Sequence, residues 1–290
     1  MQKIIKINDL YINLTYQFNE YFKDTFLKYE VNEYPQDIIN MTVLVKNEIV
    51  LSFEDKKIFR NNNQIIYETS HDKYIVTYLN DFSEIKHVIH YSLDYKNIEI
   101  ILNNKIGNKL AEYEYVLTGM MFLELAVHNN YLPLHASAFS VGKYTILLSA
   151  PSGIGKSTQT RFFKETYKDI ILINEDKPLL KLIDGHFYVV GTPWSGKDVI
   201  NSNVIKKVDG IFFLNQADEL NIVSLSEHDK IRHIFKNIQR PVYQDLVEPL
   251  TKMINLLINS VNISMFNCIN DKESAQFLYN YLEVIDENKV

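Results

Sequence analysis

The segment SAPSGIGKST, residues 149–158, has the residue types that hold phosphate. Gly155, Lys156 and Ser157 match the end of the pattern G-x-x-x-x-G-K-[ST], and Ala150 stands where its first glycine belongs. The chemistry asks for backbone N–H groups that converge on an anion. Gly153 and Gly155 allow this, because no Cβ blocks the approach. A helix that begins at the loop turns its unpaired N–H groups and its dipole toward the same anion. A lysine adds charge near the terminal phosphates and a hydroxyl takes Mg²⁺, roles that fit Lys156 and Ser157. Ser152, Gly153, Ile154, Gly155, Lys156, Ser157 and Thr158 are thus the expected nucleotide-binding residues. The plain alternative is a Gly-Ser turn before a helix. An apolar strand at 146–148 and a helical run at 156–167 favour the phosphate loop.

Two carboxylates follow closely. Asn174-Glu175-Asp176 comes one helix and one strand after the lysine, whereas most phosphate-loop enzymes carry their magnesium-orienting acid far downstream. A strand beside the loop strand would bring these acids to the edge where α/β sheets bind ligands. One carboxylate then suits Mg²⁺ and the other suits a proton from an attacking hydroxyl. An acidic turn at a strand end is the plain alternative. His135 precedes the loop by one hairpin and is either a functional neighbour of the phosphates or a satisfied strand histidine.

A second glycine-bearing loop, GTPWSGK at 191–197, holds the chain's one tryptophan. Here Gly196 would admit a phosphate, Lys197 would neutralise charge, and Trp194 and Ser195 would wall an acceptor site; the alternative is a wide turn with Trp194 in a core. Arg161 and Arg240 are further cationic candidates, and Gln216 a candidate contact to the acceptor.

These residues need elements to position them. Residues 1–110 read as short strands at 4–7, 41–45, 65–68, 74–78, 86–91 and 98–102, separated by Asn-rich turns, so a mainly antiparallel β module is expected. His87 and His90 would lie on opposite faces of their strand and so not share a metal. Helical spacing covers 111–129. Beyond it, strands and helices alternate: a hairpin at 134–139 and 144–148, a hairpin at 179–183 and 187–190, strands at 170–173, 210–214 and 263–266, and helices at 156–167, 226–238, 246–261 and 273–284. The expected architecture is mixed α/β: an N-terminal mainly β module, 1–110, a candidate for acceptor binding, and a phosphate-loop domain, 111–290.

Composition narrows the classes. The net charge of −6 speaks against a dedicated nucleic-acid binder, and one cysteine, Cys268, against a disulfide framework or Cys-rich zinc site. No apolar run reaches the ~18 residues of a membrane span, and the N-terminal residues lack a signal-peptide pattern, so a cytoplasmic protein without nucleic-acid or membrane partners is expected.

The strand LHAS at 134–137, the phosphate loop and the segment NEDKP at 174–178 together resemble the HPr kinase/phosphorylase catalytic domain, a member of the phosphoenolpyruvate carboxykinase-type phosphate-loop fold. The segments at 191–197 and 213–216 look closer to HPr-kinase-like proteins of ribosomal-peptide tailoring clusters, including lasso-peptide kinases. The resemblance spans residues 112–284. It implies an ATP- and Mg²⁺-dependent kinase with Asp176 as general base, Lys156 on phosphate, Ser157 on the metal and His135 near the γ-phosphate. Glu175 stands where the family has Asp, with a metal role implied by position. The HPr-docking C-terminal segment of true HPr kinases has no counterpart here. The implied acceptor is therefore a serine of another small protein or of a ribosomal peptide precursor, and the family's habit of forming homo-oligomers implies the same option here. Two other readings stay open: a nucleotide-binding regulatory or assembly module without transfer, and a kinase for a small molecule such as free serine.

Overall fold

The computed structural model describes residues 1–51, 56–61, 63–79, 84–151, 153–195, 200–238 and 246–287, with 56–61 described as backbone alone. The protein is mixed α/β and divides into two compact units, Met1–Leu125 and Ala126–Val290.

The first unit is built on one eight-stranded sheet. Its strands are β1 (Gln2–Ile7), β2 (Leu10–Thr15), β3 (Ile39–Lys46), β4 (Lys56–Asn61), β5 (Gln64–Glu68), β6 (Asp72–Tyr78), β7 (Ile85–Ser92) and β8 (Asn97–Asn103), in the order β1-β2-β3-β8-β7-β6-β5-β4. Alternation drives it: Leu10, Ile12 and Leu14 of β2 and Ile39, Met41 and Val43 of β3 are buried, and their neighbours less so. The strands at 10–15 and 56–61 add to those expected. Most pairs are antiparallel, but β3 runs parallel to both β2 and β8. The chain leaves β2 through the short helix α1 (Phe22–Thr25) and returns in the same direction, a crossover that antiparallel hairpins do not need. His87 is buried while His90 is half-buried, with Nε2 3.2 Å from Asp72 Oδ1.

Helix α2 (Leu110–His128) occupies the run expected to be helical, and the division between units falls within it. Inside the first unit its Glu114 is fully buried and accepts from the N–H groups of Gln17 and Phe18 at 2.6 and 2.8 Å. Those two bonds satisfy backbone donors that leave β2 with no strand partner, at the cost of burying a carboxyl.

The second unit contains two sheets. The larger is formed by β10 (Ala136–Val141), β11 (Tyr144–Ser149), β12 (Ile170–Asn174), β16 (Gly210–Gln216), β17 (Asn221–Ser224) and β18 (Asn262–Cys268), in the order β12-β10-β11-β16-β18-β17. The smaller contains β9 (Tyr131–Pro133), β13 (Leu179–Ile183), β14 (His186–Val190) and β15 (Ile205–Lys207), in the order β15-β14-β13-β9. Among the described residues, the helices α3 (Lys156–Thr166), α4 (Glu227–Asn237), α5 (Val247–Ser260) and α6 (Glu273–Glu287) complete it. Every residue of β10 and β11 is buried, as befits strands covered on both faces. Phe139, Ile146, Leu148, Phe163, Phe212, Phe266 and Leu278 form the core that joins the large sheet to α3 and α6. Ser226 caps α4: its Oγ accepts from Asp229 N at 3.1 Å and donates to Asp229 Oδ2 at 2.7 Å.

Direction within the large sheet places the site. Strands β12 and β11 both run antiparallel to β10, and β16 and β18 run parallel to β11. The C-terminal ends of β12, β11, β16 and β18 therefore share one edge with the start of β10. Among the described residues, no helix is long and apolar enough to cross a membrane.

Candidate functional site

The phosphate loop leaves this edge from β11 and enters α3. Gly153 and Gly155 both have left-handed backbone, with φ of 86° and 110°. Only glycine takes such angles without strain, so the two glycines are what let the loop fold back before the helix. A Cβ at Gly153 would meet nothing within 4 Å, and one at Gly155 would come only within 3.9 Å of Gln216 Nε2; the requirement is conformational, not steric. Ala150 is buried in the core and is not among the left-handed residues, which is why a Cβ is accepted where the usual pattern has glycine. Ser152 lies outside the described residues. Helix α3 is anchored on both flanks. Ser137 Oγ of β10 lies 2.8 Å from Thr160 Oγ1, and Gln159 Nε2 donates to Ile269 O at 2.8 Å beyond β18.

Lys156 folds back over the loop and its Nζ donates to Ala150 O at 2.7 Å. Burial pulls its pKa down, against the pull of the Asp176 charge. Ser157 is exposed at the first turn of α3, with Ile154 and Thr158 half-buried beside it.

Asp176 reaches the same edge from the end of β12. The turn that carries it is fixed by Asn174, whose Oδ1 accepts from Asp176 N at 2.9 Å and Lys177 N at 2.7 Å. Asn174 is fully buried, and its Nδ2 donates to Thr192 O and Thr192 Oγ1, both at 3.0 Å. Thr192 in turn donates to Lys177 O at 3.0 Å. One amide thereby ties the acidic turn to the start of the second glycine loop. An Asn at a strand end, able to accept from the backbone two residues on, is the sequence signal for such a turn. The residue read for its acidic neighbours is itself the organiser.

His135 lies just before β10. Its N–H donates to Asn237 O at 2.6 Å, its C=O accepts from Ser149 Oγ at 2.9 Å, and Ala136 N donates to Asp176 O at 3.3 Å. These bonds bring His135 Nε2 to 3.3 Å from Asp176 Oδ1; Lys177 Nζ is 3.9 Å from the other oxygen. Burial works to raise the Asp176 pKa, but the His135 hydrogen bond and the charges of Lys177, His135 and Lys156 outweigh it and hold the carboxyl below its ordinary value. The pair keeps access to solvent, with side-chain exposures of 37% for His135 and 28% for Asp176. Glu175 is half-buried beside it.

The remaining candidates separate from this group. Trp194 and Ser195 are buried, each 2% exposed, so they pack inside the unit rather than face an open acceptor surface. Asn201 Nδ2 lies 3.3 Å from both Pro193 O and Ser195 Oγ and helps hold that segment. Gly196, Lys197 and Arg240 lie outside the described residues. Arg161 is on the outer face of α3, with its Nε 3.8 Å from Glu165 Oε1, as i, i+4 spacing dictates. Gln216 sits on the opposite flank of the loop from Asp176, across β11, and donates to Ile154 O at 3.2 Å; it is a loop support, not a neighbour of the acid.

The residues expected from the sequence to hold a metal offer only hard oxygen: the Ser157 hydroxyl and the Glu175 and Asp176 carboxylates. Among the described residues no group of three or more His, Cys, Asp or Glu side chains is gathered for a metal. Magnesium fits such a site, since it is commonly held by one or two carboxylates completed by substrate phosphates and water.

No family model matches the chain, and no curated protein matches it. Among solved structures it is similar to the HPr(Ser) kinase/phosphatase from Coxiella burnetii, at 16% identity over 43% of this chain and 96% of that one, with a TM-score of 0.24.

Proposed function

We propose that the second unit is a phosphotransferase that moves the γ-phosphoryl group of ATP to a hydroxyl, a serine of a small protein or ribosomal peptide precursor. One observation carries the reading: a glycine-bent, lysine-bearing loop at a helix start shares its sheet edge with a charged carboxylate held by a histidine, close enough for Lys156 and Asp176 to shift each other's ionisation. Anion binding alone needs only the loop. An ionised carboxylate beside it opposes an anion, and is worth that repulsion where a proton must be taken from an incoming hydroxyl.

The roles divide along the edge. The N–H groups of the loop and of the first turn of α3 hold the phosphates, and Lys156 places its charge against the terminal ones. Asp176 accepts the hydroxyl proton. His135 holds Oδ1 and leaves Oδ2 toward Lys177, so one oxygen is oriented and the other is available. A carboxylate with a depressed pKa is a weak base. It serves best late in the transfer, when the hydroxyl oxygen is already committed to phosphorus and its proton has become acidic. Ser157, Glu175 and Asp176 are the residues to hold Mg²⁺, which when bound would neutralise charge on the phosphate oxygens. The partial exposure of His135 and Asp176 suits an acceptor side chain delivered from outside. The resemblance in motifs to kinases of peptide-tailoring clusters favours a peptide.

The test is transfer of label from γ-³²P-ATP to candidate serine peptides and to free serine. Labelled peptide that disappears with Asp176→Asn supports the proposal. Labelled free serine would make the chain a small-molecule kinase. Nucleotide binding with neither product would leave a regulatory module and overturn transfer.

A further inference from the structure

Of the cations that the sequence offered for the transferred group, Arg161 pairs with Glu165 on the outer face of α3, and Lys197 and Arg240 lie outside the described residues. Lys181 of β13 turns its Nζ to Asn129 O at 2.8 Å and to the Tyr131 ring. A lysine outside those candidates stands at the site: Lys177 Nζ lies 3.9 Å from Asp176 Oδ2.

Its place is built. Lys177 N donates to Asn174 Oδ1 at 2.7 Å, and its C=O accepts from Thr192 Oγ1 at 3.0 Å. Pro178 follows, and its C=O accepts from Leu134 N at 3.1 Å. The backbone under the side chain is thus fixed in the same turn as Asp176, while the side chain itself is 38% exposed. At 3.9 Å the ammonium is a neighbour of Oδ2 and not its hydrogen-bond donor. Partly exposed ion pairs add little stability, so holding the fold gives little reason for a cation here.

A stronger reason lies in the oxygen it approaches. His135 occupies Oδ1 at 3.3 Å, so an incoming hydroxyl gives its proton to Oδ2. A hydroxyl oxygen donating to Oδ2 sits about 2.5–3.0 Å from it, hence no farther than about 7 Å from Lys177 Nζ. The phosphoryl group that this oxygen attacks is in near contact with it, within the sweep of a flexible four-carbon lysine stem. A cation there also offsets the repulsion between the Asp176 carboxylate and the phosphates.

On the reading of Asp176 as the base, we propose that Lys177 is a further catalytic residue, which binds an oxygen of the transferred phosphoryl group from the side of Asp176 while Lys156 holds it from the loop. In the step, the acceptor oxygen bonds to the γ-phosphorus as the bond to the β–γ bridging oxygen breaks. ADP leaves with that electron pair, and the hydroxyl proton passes to Asp176 Oδ2. The outer oxygens of the group stay charged throughout, which is the charge a second ammonium stabilises.

Calorimetry with Mg²⁺-ADP, alone and with tetrafluoroaluminate as a mimic of the phosphoryl in flight, tests this without an acceptor. Lys177→Met should leave ADP affinity unchanged, which also reports a folded loop, and should weaken the fluoride complex at least about tenfold; Lys177→Arg should keep most of it. Single-turnover transfer from ATP, followed against pH, separates contact with the phosphoryl from service to Asp176. Lys177→Met should lower the rate about 10²–10³-fold, with the deficit persisting on the plateau above the acidic limb, where Asp176 is ionised with or without Lys177. A deficit that vanishes on the plateau, or a fluoride complex of unchanged affinity, would overturn the proposal and leave Lys177 a partner of Asp176 alone. If the wild-type chain forms the fluoride complex but transfers to no acceptor, the proposed transfer fails, and the calorimetric comparison still decides on Lys177. If ADP binds to no form of the chain, both fall.

Discussion

Asp176 is held by a histidine on one oxygen and approached by a lysine on the other, and this asymmetry sets what single substitutions should do. Asp176→Asn keeps the size and the turn but removes the proposed base. Transfer is expected to fall about 10²–10⁴-fold, the usual worth of positioned base catalysis; single-turnover rates at saturating ATP check it. Because the folded pKa is depressed, the carboxylate stays charged through the neutral range and contributes stability above the unfolded value of 3.8 that is lost as pH falls through the lower folded value. Removing its leading partner with His135→Asn should move the Asp176 titration upward, read from the carboxyl carbon by NMR. The bend of the loop was legible in the sequence, because Gly153 and Gly155 supply the left-handed backbone it needs. Gln159 was not: nothing in its neighbourhood in the chain tells that Ile269 will take its amide nitrogen.

Elements hold these residues through a few close junctions. Gly191 follows β14 where the chain passes Ser202, and a Cβ there would come within 1.8 Å of Ser202 O. Gly191→Ala is therefore expected to cost about 3 kcal/mol or more, since backbone must move to admit the methyl; urea unfolding measures it. In the first unit, Glu114→Ala would leave two N–H groups without their acceptor and should cost about 2–3 kcal/mol by the same measurement. Helix and strand periods made most elements readable, including the hairpin across Asp184 and Gly185, whose positive φ values fit a tight turn. Pairing was less so. That β10 sits between β11 and β12, and that β3 lies parallel between β2 and β8, depends on partners far along the chain, which local periodicity does not encode. The burial of Trp194 was one of two readings open from its loop, and burial is what the fold gives.

Across the molecule, two measurements follow from buried groups and from mass action. Burial, helped by the charge of Lys86, pushes the His87 pKa from 6.5 down to about 4. Its stabilising effect is complete above pH 6.5 and is lost progressively toward pH 4, with a full size of about 3 kcal/mol. Stability plotted against pH should show this loss, and His87→Gln should flatten it. Saturating ATP at 100 times its dissociation constant should add about 2.7 kcal/mol to stability and raise the melting temperature, an effect that Lys156→Ala should largely remove. The parallel ladder of the large sheet has one more consequence, which concerns synthesis. Strand β11 precedes its neighbour β16, and β18 beyond that, by long intervening segments. Such distant pairings form late and slowly. A ribosome that has released the loop at 149–158 has not yet released the strands that pair beside it, so, on the proposed function, a nascent chain halted before residue 262 should be unable to retain nucleotide. Ligand can steady the finished protein, but it cannot chaperone its birth.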